Sequence, residues 1–169
     1  MTADAQIAIH IAIAALGGAA IGLERQWSGH ATGPRARFGG IRTFTLLGGL
    51  AGIAGVCWAM QAPVVGAVLA AGAVALVAGA YWKLERHDIE ATTEAAALVV
   101  IAAGVLAGAG KVVLSSGIIA LTALILVAST LVGILPLWLA VVCHEGSTLL
   151  VIANGVRLLG IEHPEFDLR

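Results

Sequence analysis

Two groups of polar residues interrupt an otherwise apolar chain, and both contain side chains that could do chemistry. In the first group, His144 and Glu145 lie together within an apolar run and are followed by Ser147 and Thr148. An imidazole, a carboxylate and two hydroxyls form a donor set that suits zinc, cobalt or nickel better than magnesium. Two adjacent side chains cannot complete a tetrahedral site, so further ligands must come from another helix or subunit. The alternative is an inherited helix whose charges are stabilised by neighbouring helices or water.

The second group consists of acids, arginines and threonines that lie where apolar runs begin or end. Its members are Glu24, Arg25, Arg42, Thr43, Thr93 and Glu94. We expect them to form one polar cluster at a membrane edge, with Glu24 within reach of Arg25, Arg42 or a bound cation. A structural alternative exists, because arginines at span ends also snorkel and fix topology. Threonines and acids in a first turn also cap a helix and suit its dipole.

The elements that carry these residues are indicated by a scarcity of charge. Hydrophobic residues make up 60% of the 169 residues and charged residues 11%, against about 45–50% and 25% in soluble domains. Between Thr43 and Trp82 there is no Asp, Glu, Lys, Arg or His, and only Gln61-Ala62-Pro63 interrupts the apolar run. A bilayer core takes about 20 apolar residues per helical span. This stretch therefore predicts two spans joined by a tight turn.

The chain contains six such apolar segments, none of which alternates apolar and polar residues as a β-barrel strand would. They are Ile7–Leu23, Phe44–Met60, Ala62–Trp82, Ala95–Gly110, Val112–Leu135 and Leu137–Val156. No polar cleavage region follows the first segment, which we interpret as a retained span. The sixth contains His144 and Glu145, and a charge there costs at least ~2.5–3.5 kcal/mol. The sequence thus predicts an all-α, polytopic transmembrane helical bundle of five to six spans.

The distribution of Lys and Arg predicts the orientation of the bundle. Four arginines lie in the first loop (Arg25, Arg35, Arg37 and Arg42), and Lys83 and Arg86 lie in the third. Loops one and three should be cytoplasmic and the N-terminus outside, which places the second polar group at the cytoplasmic edge. Six spans would put the C-terminus outside, whereas Arg157 and Arg169 favour the inside, so its side stays open.

Motifs within the second polar group resemble those of a known family. Gly22-Leu23-Glu24-Arg25, followed after a basic loop by Gly40-Ile41-Arg42-Thr43-Phe44-Thr45-Leu46, resembles the N-terminal membrane domain of the MgtC/SapB family. Thr92-Thr93-Glu94-Ala95-Ala96-Ala97-Leu98 is similar to a later span of that family, and the resemblance covers residues 5–125. It implies a bacterial inner-membrane protein acting in divalent-cation, chiefly magnesium, homeostasis, as a transporter or as a regulator of another membrane protein.

The C-terminal segment, which we call the tail, resembles a different group of membrane proteins. Residues 135–160, with His144-Glu145-Gly146 followed by Ser147, are similar to the last transmembrane helix of cobalt- and zinc-type heavy-metal P-type ATPases. The Ser-Pro-Cys helix and the phosphorylation and nucleotide domains of those enzymes have no counterpart here. The two resemblances imply a membrane domain over residues 1–134 and an ATPase-like helix with a short tail over 135–169. The tail therefore leaves two alternatives to the magnesium-related function. The protein is a transition-metal-binding accessory membrane protein that uses His144 and Glu145, or it is a truncated fusion without retained activity.

Several function classes are disfavoured by the same residues. A net charge of −1 argues against a nucleic-acid partner, which needs a concentrated basic surface. No nucleophile elbow or phosphate-binding loop is present, so we expect no enzyme. The expected partners are the lipid bilayer and another membrane protein or a second copy of the chain. No cofactor is certain, and Mg, Zn or Co is the candidate ion. The middles of the second and third segments contain almost no polar groups, which favours regulation over transport.

Overall fold

The protein is a bundle of α-helices. The computed structural model describes residues 2–29, 39–83 and 91–134. In these ranges it has five helices and no strand: α1 (Ala3–Trp27), α2 (Ile41–Ala59), α3 (Pro63–Lys83), α4 (Thr92–Gly108) and α5 (Val112–Ile134). The predicted all-α class is confirmed, and the five helices match the first five predicted spans. The sixth predicted span lies outside the described residues.

Four of these helices are long and apolar enough to cross a membrane: Ala3–Trp27, Ile41–Ala59, Pro63–Trp82 and Val112–Val132. The remaining helix, α4, has 17 residues. Its length is therefore about 26 Å at 1.5 Å per residue, which is close to the shortest length that spans a bilayer core. Large apolar side chains such as Leu46, Val64 and Leu124 are exposed on the bundle. Lipid is the solvent that accommodates such a surface, so the chain is a multi-pass membrane protein.

Three helices, α1, α2 and α4, begin before the apolar segments from which they were predicted, and α1 also ends after its segment. The hydroxyl of Thr2 accepts a hydrogen bond from the backbone N–H of Ala5 at 3.3 Å and caps α1, and Gly29 follows its end with a φ of 83°. Hydropathy locates only the lipid-facing part of a helix, whereas caps and left-handed residues determine where it begins and ends. Consequently Glu24, Arg25, Arg42 and Glu94 belong to helices and not to loops.

The interfaces of α1, α2 and α4 are built on glycine. A Cβ added to Gly18 would clash with the carbonyl oxygen of Phe44, and one added to Gly108 would lie 2.9 Å from the backbone nitrogen of Val56. Helices in lipid associate through such close backbone approach, because lipid supplies no hydrophobic drive. The glycines of α1, α2 and α4 thus form packing faces within the bundle. The turn predicted at Gln61-Ala62-Pro63 is also present, with Gln61 at a φ of 62°.

The chain divides into two compact units, Met1–Val127 and Ala128–Arg169. Only residues 128–134 of the second unit are described. In the first unit, α2 packs against α1, α3 and α4, and α4 also packs against α1 and α3. Its core is apolar and includes the fully buried Ile21, Phe44 and Val100. The predicted domain boundary after residue 134 stays a prediction.

Candidate functional site

The polar side chains that the bundle buries lie mainly at one of its ends. We call this the polar end, and define it as the last turn of α1 with the first turns of α2 and α4. The exposed fractions there are 6% for Glu24, 2% for Arg25, 0% for Thr93 and 5% for Glu94. Burial of four polar side chains is costly unless each is paired or hydrogen-bonded. Their partners therefore decide what the polar end can do.

The α1 part of the polar end is positioned by the antiparallel packing of α1 on α2. A Cβ added to Gly22 would lie 2.7 Å from the Cα of Ile41, so Glu24 and Arg25 lie less than one turn further, level with Gly39 and Gly40. The Nε of Arg25 donates a hydrogen bond to Oε2 of Glu24. The side chains of this ion pair are only 3% and 5% exposed. Glu24 is thus paired with its neighbour in the sequence.

The α4 part is positioned by parallel packing on α2. A Cβ at Gly104 would lie 2.9 Å from the carbonyl oxygen of Gly48, and Gly108 packs in the same way on Gly52. Both contacts advance by four residues in the same direction, so the two helices run parallel. Ten residues before Gly104, Glu94 lies just beyond the first residue of α2. This register puts it at the same end of the bundle as the Glu24–Arg25 pair.

Glu94 and Thr93 differ from that pair because nothing satisfies them. Among the residues that the structure describes, Oε1 and Oε2 of Glu94 and Oγ1 of Thr93 are buried without a hydrogen-bond partner. Ala91 precedes α4 and provides no side-chain cap, so the helix dipole is the only local feature that favours an acid here. An unpaired buried carboxylate is among the most costly groups a protein can contain. These oxygens are therefore available to a cation or to a donor from outside the described chain.

Arg42 lies in the first turn of α2, at the polar end, but outside the buried group. Its side chain is exposed and, among the described residues, forms no hydrogen bond or ion pair. The buried face of α2 contains Phe44, Leu47 and Ala51, and residue 42 lies off this stripe. Thr43 is half-buried and packs over Gly39. The structure thus brings Glu24, Arg25, Thr93 and Glu94 to one buried end and excludes Arg42 from their buried contacts.

The predicted metal site at His144, Glu145, Ser147 and Thr148 lies outside the described residues and stays a prediction. Within residues 2–29, 39–83 and 91–134, no group of three or more His, Cys, Asp or Glu side chains is arranged to hold a metal ion. Cys57 is a half-buried free thiol, and Cys143 lies outside the described part. The described residues alone would therefore supply few ligands to a metal at the polar end.

The opposite end has a feature that the sequence analysis missed. A mostly apolar recess of about 240 Å³ lies between the start of α1 and the ends of α2 and α4, and Gln6, His10, Met60 and Gly110 are among its lining residues. The sequence feature that could have indicated this recess is His10, which is the one ionisable residue in the apolar segment Ile7–Leu23. Apart from His10 and Gln6, the lining side chains of the recess are apolar or absent, so they provide no polar group for a ligand.

Comparison with known proteins supports the resemblance that the motifs carry. The MgtC family model matches residues 11–135, which include Glu24, Arg25, Arg42, Thr43, Thr93 and Glu94. Comparison with curated proteins and with solved structures finds no match. The family match covers most of the chain and ends at the beginning of the tail. It gives no support to the resemblance of residues 135–160 to P-type ATPases.

Proposed function

This chain belongs to the MgtC family, and we propose that it acts in magnesium homeostasis as a regulator of another membrane protein. We place it in the inner membrane of a bacterium, with the polar end on the cytoplasmic side. The role that we propose needs no catalytic step. The family match supports the link to magnesium, and the distribution of buried polar groups supports regulation over transport.

The observation that carries this proposal is the apolar core between the two ends of the bundle. An ion crossing a membrane needs polar groups along its path. Below the polar end, the described part of the α1–α2–α4 interface is filled by Ile21, Phe44 and Val100, each at most 1% exposed. The glycines bring the helix backbones into close contact. Among the described residues, the one buried polar side chain outside the polar end is that of Ser115, which donates its hydroxyl to the carbonyl oxygen of Ala103 at 2.7 Å.

A regulator of a membrane protein also needs a lipid-facing surface on which another helix can pack, and α3 offers one. A Cβ added to Gly72 or to Gly79 would meet nothing within 4 Å, and both residues are exposed. Seven residues apart, they lie on one face of the helix, and small residues on such a face allow close helix approach. This surface supports the proposal of a membrane-protein partner.

Two measurements test the proposal together. The purified chain is reconstituted in liposomes that contain a magnesium-sensitive dye, and a strain lacking the chain is grown in low magnesium with and without a plasmid copy. We expect magnesium entry no faster than in protein-free liposomes, and growth that depends on the plasmid copy. Saturable magnesium entry that is lost in Glu94→Gln would show a transporter. Growth that does not depend on the chain would remove the link to magnesium homeostasis.

A further inference from the structure

The proposed regulatory role does not yet account for the buried side chains of Glu94 and Thr93. Both oxygens of the Glu94 carboxylate and the hydroxyl of Thr93 are unpartnered among the described residues, and their side chains are more than nine-tenths buried. A structural role for Glu94 would require a donor that holds its carboxylate. The described bundle supplies none.

Among the charged side chains of α1 and α2 that the structure describes, none is paired with Glu94. On α1, Arg25 is already the ion-pair partner of Glu24. On α2, Arg42 is exposed and has no described partner. Within the described residues, the Glu94 carboxylate therefore has no cationic partner.

We propose that Glu94 is the protein ligand of a divalent cation of the magnesium type at the polar end. Magnesium prefers oxygen ligands, keeps several of its waters and is commonly held by one or two carboxylates. A single carboxylate with two oxygens that have no described partner fits this requirement. The hydroxyl of Thr93 would form a hydrogen bond with a water molecule bound to the ion. The oxygen donors of Glu94 and Thr93 suit magnesium better than zinc, which prefers histidine and cysteine ligands.

This inference rests on the proposed function and deepens it, because it makes the polar end the place where the regulator senses the ion. The register of α4 on α2 puts the ion at the level of Gly39 and Gly40, where the chain enters α2. Binding there would link the start of α4 to the start of α2. The partner would then respond to a change in the helix ends, with no ion crossing the core.

The test is thermal unfolding of the full chain in detergent, with and without magnesium chloride. A ligand that binds only the folded state raises the unfolding temperature with its concentration. We expect this rise in the wild type and its loss in Glu94→Gln, which has nearly the same shape but no charge. Without magnesium, Glu94→Gln should unfold at a higher temperature than the wild type, because it removes a buried carboxylate that has no partner among the described residues.

Further measurements exclude trivial effects of charge. Asp4→Asn removes an exposed carboxylate at the opposite end and should keep the full response to magnesium. Sodium chloride at matched ionic strength should not reproduce the rise. Binding of Mn²⁺, followed by the loss of its free paramagnetic signal, should be displaced by magnesium and weakened at least tenfold in Glu94→Gln, and several-fold in Thr93→Val.

Three results would overturn the inference: no magnesium-dependent rise in the wild type, an unchanged rise in Glu94→Gln, or a Glu94→Gln protein that is less stable than the wild type without magnesium. The last would mean that the carboxylate has a structural partner. Each result is separable from failure of the proposed function. A chain that supports growth in low magnesium but shows no Glu94-dependent binding would lose this site and keep its regulatory role.

Discussion

Arg25 donates a hydrogen bond from its Nε to the Oε2 of Glu24, its immediate neighbour in the chain, and both side chains are buried. Residues one apart on a helix do not normally face each other. Here both side chains are removed from the surrounding solvent, and the two charges pair with one another.

The first prediction concerns this pair. Removal of one partner of a buried ion pair costs about 3–5 kcal/mol, because the other charge is left buried alone. Glu24→Gln and Arg25→Gln should therefore each lower the free energy of unfolding, and the double substitution should cost less than their sum. The measurement is a double-mutant cycle by chemical unfolding in detergent.

Arg42→Gln is the matched control for that cycle. Arg42 is exposed and forms no described ion pair, so its loss should change the free energy of unfolding by less than about 0.5 kcal/mol. Its effect should add to that of Glu24→Gln. Strong coupling between Glu24 and Arg42, with none between Glu24 and Arg25, would reverse the pairing described here.

The second prediction separates packed glycines from open ones. Gly108→Ala places a methyl group against the backbone of Gly52 and Val56, and such overpacking typically costs about 1–3 kcal/mol. Gly72→Ala enters open space, so it should be neutral or slightly stabilising, since alanine is the better helix former by up to about 1 kcal/mol. Unfolding of the two variants in detergent measures the difference, and equal effects would contradict the described packing of α2 and α4.

The third prediction concerns orientation in the membrane. Gln26 and Gln61 are both exposed and are separated by the whole of α2. Single cysteines at these positions, in a protein lacking Cys57 and Cys143, should react with a membrane-impermeant thiol reagent from opposite sides. Gln26→Cys should be labelled only after the cytoplasmic face is opened to the reagent. Labelling of both from one side would rule out α2 as a span.

The fourth prediction concerns the surface proposed for a partner helix. Gly72→Leu and Gly79→Leu, made together, should leave the unfolding temperature nearly unchanged, because both positions are open in the bundle. The bulky side chains should nevertheless prevent close helix approach and abolish the plasmid-dependent growth in low magnesium. Val68→Leu, which changes an exposed α3 residue only slightly in size, is the control. Normal growth of the double variant would exclude this face as the partner's surface.

The fifth prediction concerns the tail. If His144 and Glu145 form a working site, zinc or cobalt should bind near neutral pH, and calorimetric titration should show binding abolished in His144→Ala and weakened in Glu145→Gln. Magnesium should compete poorly, because it prefers an oxygen shell. His10→Ala, at the recess between α1, α2 and α4, should leave binding unchanged. Without transition-metal binding, the tail would be an inherited helix.

The amino-acid sequence by itself determined the solvent, the number of described spans and the family. A segment such as Ala62–Trp82 is solvated by lipid along its own length, so its hydropathy predicts a span without knowledge of any neighbour. The turn at Gln61 is local in the same sense. The motifs around Glu24 and Glu94 were sufficient to indicate the family for the same reason, since each is a short, contiguous string.

Only the tertiary structure decided which charges are buried and which are satisfied. Arg25 and Arg42 are equally plausible partners of Glu24 in the sequence, and the faces that α1 and α2 turn toward each other distinguish them. The place of Glu94 at the buried end of the bundle likewise follows from the register of α4 on α2, which close contacts at Gly48 and Gly104 determine. These contacts join residues far apart in the chain, and local composition contains no information about them.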